Sequence, residues 1–117
     1  MKAKTAYSLW FKIYNDFPRA HRVLGKKTED YLLNVLENIF VAIYLSPEQK
    51  IPKLTTAISK LDGVKFFLQI AWENKCILND RYSILSEELN ELGRMLGGWK
   101  KGLIAKTLPP HAREKIF

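Results

Sequence analysis

Gly93-Arg94-Met95-Leu96-Gly97-Gly98-Trp99 closes the run of residues whose spacing decides the fold. Leu78, Tyr82, Leu85, Leu89, Leu92, Leu96 and Trp99 recur at intervals of 4, 3, 4, 3, 4 and 3. That alternation draws one apolar seam down an α-helix that packs at a shallow angle on its neighbours. Gly93 falls inside the last turns of the seam, where it costs about 1 kcal/mol relative to alanine. Its presence there points to a close backbone approach, and Gly97, four residues on, extends the same smooth face. Gly97 and Gly98 have a second reading, as the left-handed cap of a helix that ends here with Trp99 folding back.

Three more helical stretches lie upstream. The first is expected from about Thr5, as N-cap, to Asp16, with Ala6, Trp10, Ile13 and Phe17 on one side and Tyr7 and Tyr14 beside them. Pro18 ends it, because proline disfavours helical geometry in the residue before it. The segment 18–25 then reads as a cation-rich loop. A second helix is expected near Thr28, where Glu29 and Asp30 suit the positive end of its dipole. Its seam is Leu32, Leu36, Ile39 and Ile43. Ser46-Pro47 breaks the chain, and Pro52 is placed in the opening turn of a third helix. Leu54, Ile58, Leu61, Val64, Leu68 and Ala71 form that helix's core face. Asn74-Lys75-Cys76 ends it, and Asn79 or Asp80 can cap the fourth. Strand signals are absent, since there is no sustained alternation and no hairpin dipeptide outside helical periodicity.

Short connections between consecutive helices imply antiparallel neighbours. The expected fold is therefore all-α, an up-down four-helix bundle over residues 1–106, followed by a short basic tail at 107–117. Leu36, Ile39, Leu61, Leu68, Leu89 and Leu92 should be buried. Helices two and three carry more apolar surface than one bundle covers, at Leu33, Phe40, Phe66, Phe67 and Ile70. A monomer would leave that surface wet, so a closed, ring-shaped homo-oligomer with these residues at its interface is expected.

The 117 residues suit one domain, and 47% hydrophobic content supplies a core. The longest apolar run, Ile39–Leu45, has seven residues and cannot span a membrane. No signal-peptide core follows the N-terminal lysines, and the single Cys76 asks for no oxidising compartment, so the cytoplasm is expected. The net charge of +7 is uneven: residues 1–27 carry +6, 28–99 carry −3 and 100–117 carry +4. Basic ends around an acidic middle suit a polyanion. In an up-down bundle one pole gathers Arg19, His21, Arg22, Lys26, Lys27, Lys75 and Arg81. The other gathers Lys2, Lys4, Lys50, Lys53, Arg94, Lys100 and Lys101.

Catalytic chemistry finds no constellation. His21 and His111 are ninety positions apart, Cys76 has no histidine near it in sequence, and Glu87, Glu88 and Glu91 read as a solvated helical face. No catalytic residue, metal site or cofactor is expected, and no enzyme activity. Binding remains. Arg19 and Arg22 can fork to phosphates, and Lys26, Lys27, Lys100 and Lys101 are paired point charges. Trp10, Tyr14, Phe17 and Trp99 stand near these cations and could stack on bases, but their helical spacing assigns them to the core. Backbone contacts without base reading follow.

The pattern from Tyr7-Ser-Leu-Trp10 through Phe17-Pro-Arg-Ala-His-Arg22 and Leu24-Gly25 to Gly93–Trp99 resembles a family of small four-helix-bundle proteins. The family includes proteins encoded in bacterial ribosomal-RNA intervening sequences. It also includes Avd, the accessory variability determinant of diversity-generating retroelements. Lys60-Leu-Asp-Gly-Val-Lys-Phe-Phe-Leu-Gln-Ile-Ala-Trp72 is similar to the retroelement branch. The resemblance implies a homopentamer with a basic surface. It implies a reverse transcriptase and its template RNA as partners, with DNA a further candidate ligand. Arg19, His21, Arg22, Lys26, Lys27 and Arg94 are the positions it marks for binding. Lys26-Lys27-Thr28 departs from the family pattern, which has an apolar residue soon after the glycine. The alternative is a ribosomal-insert-type bundle with a structural or protein-interaction role.

Overall fold

The computed structural model describes residues 2–107; Met1 and residues 108–117, with most of the expected tail, lie outside the described residues. Four helices follow one another: α1 Lys2–Asn15, α2 Arg22–Ile43, α3 Pro47–Glu73 and α4 Asn79–Thr107. A 3-10 turn over Arg19–His21 links α1 to α2. Side-chain pairings show each neighbouring pair running antiparallel. Tyr7 meets Glu29 and Tyr14 meets Gly25 across α1–α2. Tyr31 meets Gly63 across α2–α3, Leu61 meets Gly93 across α3–α4, and Asp16 meets Arg81 across α1–α4. The bundle measures 54 × 25 × 21 Å, the proportions of helices laid side by side.

The core follows the expected seams in large part, but in α2 it runs through Leu32, Val35, Ile39 and Ala42, and Ile43, expected in that seam, is exposed. Ile39, Leu61, Leu68, Leu89 and Leu92 are buried, and Leu36 is only half-buried. In α3 the innermost position between Leu54 and Leu61 is taken by Ala57, with Ile58 at the core's edge. A fully buried leucine contributes roughly 1.5–3 kcal/mol, so these contacts, rather than helix propensity, hold the elements together.

Four boundaries differ from expectation, each for a packing reason. First, α1 begins at Lys2, so Thr5 is interior and does not cap. Ala3 and Ala6 lie on the buried face with Trp10, extending the seam by a turn, and the Lys2 ammonium binds Glu91 at 2.8 Å and Glu88 at 3.4 Å on α4. Second, α2 begins at Arg22, six residues before Thr28. Thr28 is fully buried and donates its hydroxyl to the Leu24 carbonyl at 2.8 Å, one turn back within the helix. The cationic stretch is thus the opening of a helix and not a loop.

Third, α3 begins at Pro47, leaving Pro52 in its second turn. Its other end is a Schellman motif: the Cys76 N–H reaches the Ala71 carbonyl at 2.8 Å and the Lys75 N–H the Trp72 carbonyl at 3.0 Å. Lys75 takes the left-handed position, φ 61°, where glycine is usual. Leu78 falls outside the helix and is exposed. Asn79 starts α4, but its side-chain oxygen accepts from Trp72 Nε1 at 2.7 Å instead of capping, and Trp72 stacks on Tyr82 at 4.8 Å. Fourth, α4 continues to Thr107, so Gly97 and Gly98 are helical and no cap, and Trp99 does not fold back. Gly93 faces α3, but no backbone comes close: a Cβ there would meet side chains, 3.2 Å from Lys65 Nζ and 3.6 Å from Leu61 Cδ2. Gly97 meets nothing within 4 Å.

Trp10 anchors the base of the bundle. It is fully buried, stacked on Tyr14 at 5.3 Å and edge-on to Phe17 at 5.7 Å. Gly25 admits this aromatic group, because a Cβ there would lie 2.5 Å from Tyr14 Cε1 and 3.1 Å from Phe17 Cδ2. Trp10 and Phe17 are therefore unavailable for stacking on bases, as their spacing implied.

Candidate nucleic-acid interface

The junction of α1 and α2 concentrates cations because a helix start occupies what the sequence offered as a loop. One turn of helix projects Arg22, Val23, Lys26 and Lys27 outward, while Gly25 and Thr28 face inward. With Tyr14 and Asp30 these residues line an open cleft of about 430 Å³. The Arg22 guanidinium lies over the Tyr14 ring, 5.5 Å from its centroid. Such a contact stabilises by about 0.5–1 kcal/mol at an exposed site, and it orients the guanidinium at the cleft wall. Arg19 is exposed in the 3-10 turn, and His21 beside it is half-buried.

Other cations expected at this pole are otherwise engaged or displaced. Arg81 Nη1 binds Asp16 Oδ2 at 2.7 Å, tying the end of α1 to the start of α4. With Lys75, both line a separate depression beside Pro18 and Cys76. Burial raises the Cys76 thiol above its ordinary pKa and holds it as the neutral thiol.

At the opposite end the cations do more structural work. Lys50 Nζ donates to the carbonyls of Ala42 and Ile43 at 2.7 and 3.1 Å and lies over the Trp99 ring. It thereby closes the C-terminus of α2. The hydrogen bond to Glu91 raises the pKa of Lys2, assisted by Glu88, and the same bond lowers that of Glu91, to which Arg94 contributes its charge. Arg94 is exposed in mid-helix. It is too far from Thr107 to neutralise the end of its own helix, since the dipole acts within the last turn. Lys100 is half-buried and Lys101 exposed further along α4. The structure thus brings Arg22, Lys26 and Lys27 into one cleft and does not join Arg94, Lys100 or Lys101 to it.

Leu33, Phe40 and Phe66, expected at an oligomer interface, are exposed in the single chain. Phe67 and Ile70 are half-buried, Phe67 edge-on to Tyr31 at 5.0 Å. Exposed Phe11, Tyr44, Ile84 and Met95 add to the wet apolar surface. Spacing concealed them, because each falls between positions assigned to core and to solvent. Among the described residues no group of three or more histidine, cysteine or acidic side chains is placed to hold a metal, and no helix is long and apolar enough to cross a membrane.

Residues 2–103, nearly all of the four helices, match the bAvd-like family. The chain belongs to the bAvd-like family. The matched span contains the whole α1–α2 cleft and the Gly93–Trp99 signature, and it stops within the last turns of α4. Among curated proteins, none matches the chain. For this bAvd-like chain, then, family and fold agree: an Avd-type four-helix protein with Arg22, Lys26 and Lys27 lining one cleft at the α1–α2 junction.

Proposed function

We propose that the chain is the non-catalytic accessory subunit of a diversity-generating retroelement, binding template RNA and holding it with a reverse transcriptase during mutagenic retrohoming. The observation that carries this reading is the basic cleft of Arg22, Lys26 and Lys27 on a bundle of the Avd type. Phosphates offer charge to this cleft and demand no base-reading geometry from it. An acidic face of the polymerase would be drawn by the remaining cations. Cytoplasmic work suits both partners. Co-purification with a reverse transcriptase encoded beside this gene tests the reading. The polymerase is expected to be retained on the tagged chain, and more strongly with its template RNA. Failure to associate with and without RNA would favour the ribosomal-insert type of role, structural and free of a defined polyanion.

The working form in this proposal is a ring-shaped homopentamer. Exposed Leu33, Phe40 and Phe66 support assembly, since single-chain solvation of such residues is unfavourable. The number five rests on the family resemblance. Light scattering at micromolar concentration is expected to give five times the 13.6 kDa chain mass. A monomer would remove the ring. Assembly would also multiply each weak phosphate site by avidity.

A further inference from the structure

Tyr31 of α2 lies across α3 at Gly63, where a Cβ would sit 2.6 Å from ring atoms Cδ2 and Cε2. Glycine is what permits the ring to lie there, and Phe67 holds it edge-on at 5.0 Å. Two ammonium groups from different helices converge on this ring. Lys60 Nζ of α3 is 4.2 Å from its centroid and Lys27 Nζ of α2 is 5.3 Å away. The ion pairs of the described residues join Lys2 to Glu88 and Glu91 and Arg81 to Asp16, so neither lysine is neutralised by a carboxylate among them.

We propose that Lys27 and Lys60, gathered over Tyr31, form a clamp for one phosphodiester group of a nucleic-acid strand. The clamp rests on the nucleic-acid-binding reading above and assigns it a site that includes α3. Two like charges held near one ring repel in the free protein, and the ring's negative face compensates each only by about 0.5–1 kcal/mol. An anion between them converts repulsion into two charge-assisted contacts. A phosphodiester has one negative charge and two non-bridging oxygens, one for each ammonium. Lys27 also lines the cleft with Arg22 and Lys26. The clamp therefore continues that cleft from the α1–α2 junction onto α3, giving a strand consecutive positive stations. Lys60 escapes notice in the sequence because only the pairing of α2 with α3 brings it to the ring of Tyr31.

The test is fluorescence anisotropy over a salt series, with a labelled oligouridylate and an RNA duplex of equal length as probes. The double variant Lys27→Gln/Lys60→Gln is compared with Lys4→Gln/Lys12→Gln, which removes the same charge from the exposed side of α1. The clamp variant is expected to bind about tenfold more weakly. Its salt slope should fall by about 0.7 for the single strand or about 0.9 for the duplex, one phosphate in either case. Loss confined to oligouridylate assigns the clamp to single strands; loss with the duplex alone assigns it to duplexes, and loss with both to backbone of either kind. A wild-type chain that binds while the clamp variant binds equally well overturns the clamp alone. Equal losses in both double variants would also overturn it, because net charge would then suffice. A wild-type chain that binds neither probe overturns the nucleic-acid reading itself.

Discussion

Replacing Trp10 with alanine is expected to destabilise the bundle by about 3–5 kcal/mol, the range for removing a large aromatic from a packed core. Domains of this size hold only about 5–15 kcal/mol in total, so the variant should be partly unfolded at modest urea concentration. The effect is large because Trp10 is fully buried and its ring is the surface on which Tyr14 and Phe17 pack. Losing it also frees Tyr14, the wall against which Arg22 lies. Trp10→Phe should cost much less. The indole Nε1 is buried with no hydrogen-bond partner among the described residues, and removing an unpaired donor offsets part of the lost volume. Urea denaturation followed by circular dichroism at one fixed protein concentration measures both variants, since assembly makes apparent stability depend on concentration. A loss under about 1 kcal/mol for the alanine variant would contradict the packing described here.

The combined change Arg19→Gln, Arg22→Gln, Lys26→Gln and Lys27→Gln is expected to weaken RNA binding by on the order of a hundredfold or more at moderate salt. All sequences should suffer alike, because contacts to phosphate position a strand without reading it. The slope of log affinity against log salt should decrease by about 3 for single strands, four phosphate contacts at about 0.7 each. Three of the four residues line one cleft and the fourth is exposed in the turn before it, so the fold should survive. Unchanged circular dichroism alongside the lost affinity is the expected pair of observations. Unchanged affinity and slope would move the contact surface along α4, to Arg94 in its middle and Lys100 and Lys101 nearer its end.

The fold was legible because apolar residues repeat at intervals of three and four in every helix, and burial follows that period in most turns. Ile39, Leu61, Leu68, Leu89 and Leu92 lie where spacing put them. Helix boundaries were less legible, because local signals competed with packing and packing won. Thr28 offers a capping hydroxyl and two following acids, yet α2 opens at Arg22 and buries Gly25 and Thr28 in its first turns. Gly97 and Gly98 advertise a stop that α4 ignores. The candidate site was half legible: Arg22, Lys26 and Lys27 are adjacent in sequence and remain so in space. Asp30 in the cleft, and Lys60 over Tyr31, required knowing how helices pair.

α1 is only 14 residues long, about 21 Å of helix, against 27 and 29 residues in α3 and α4. Past Lys2 and Ala3 the corner between α2 and α4 is a groove floored by Ile39, Leu92 and Leu96. Ile43 and Met95 stand half in water along it. Below its global unfolding such a molecule opens locally at unequal cost. Among the described residues four helices enclose the core at one end and three at the other, and opening a backbone amide costs less where three do. Amide exchange should therefore grade along the long axis, slow around Trp10 and faster toward the end of α2. Heat or denaturant would loosen the three-helix end as a unit of its own, while the end that carries the cleft keeps its shape.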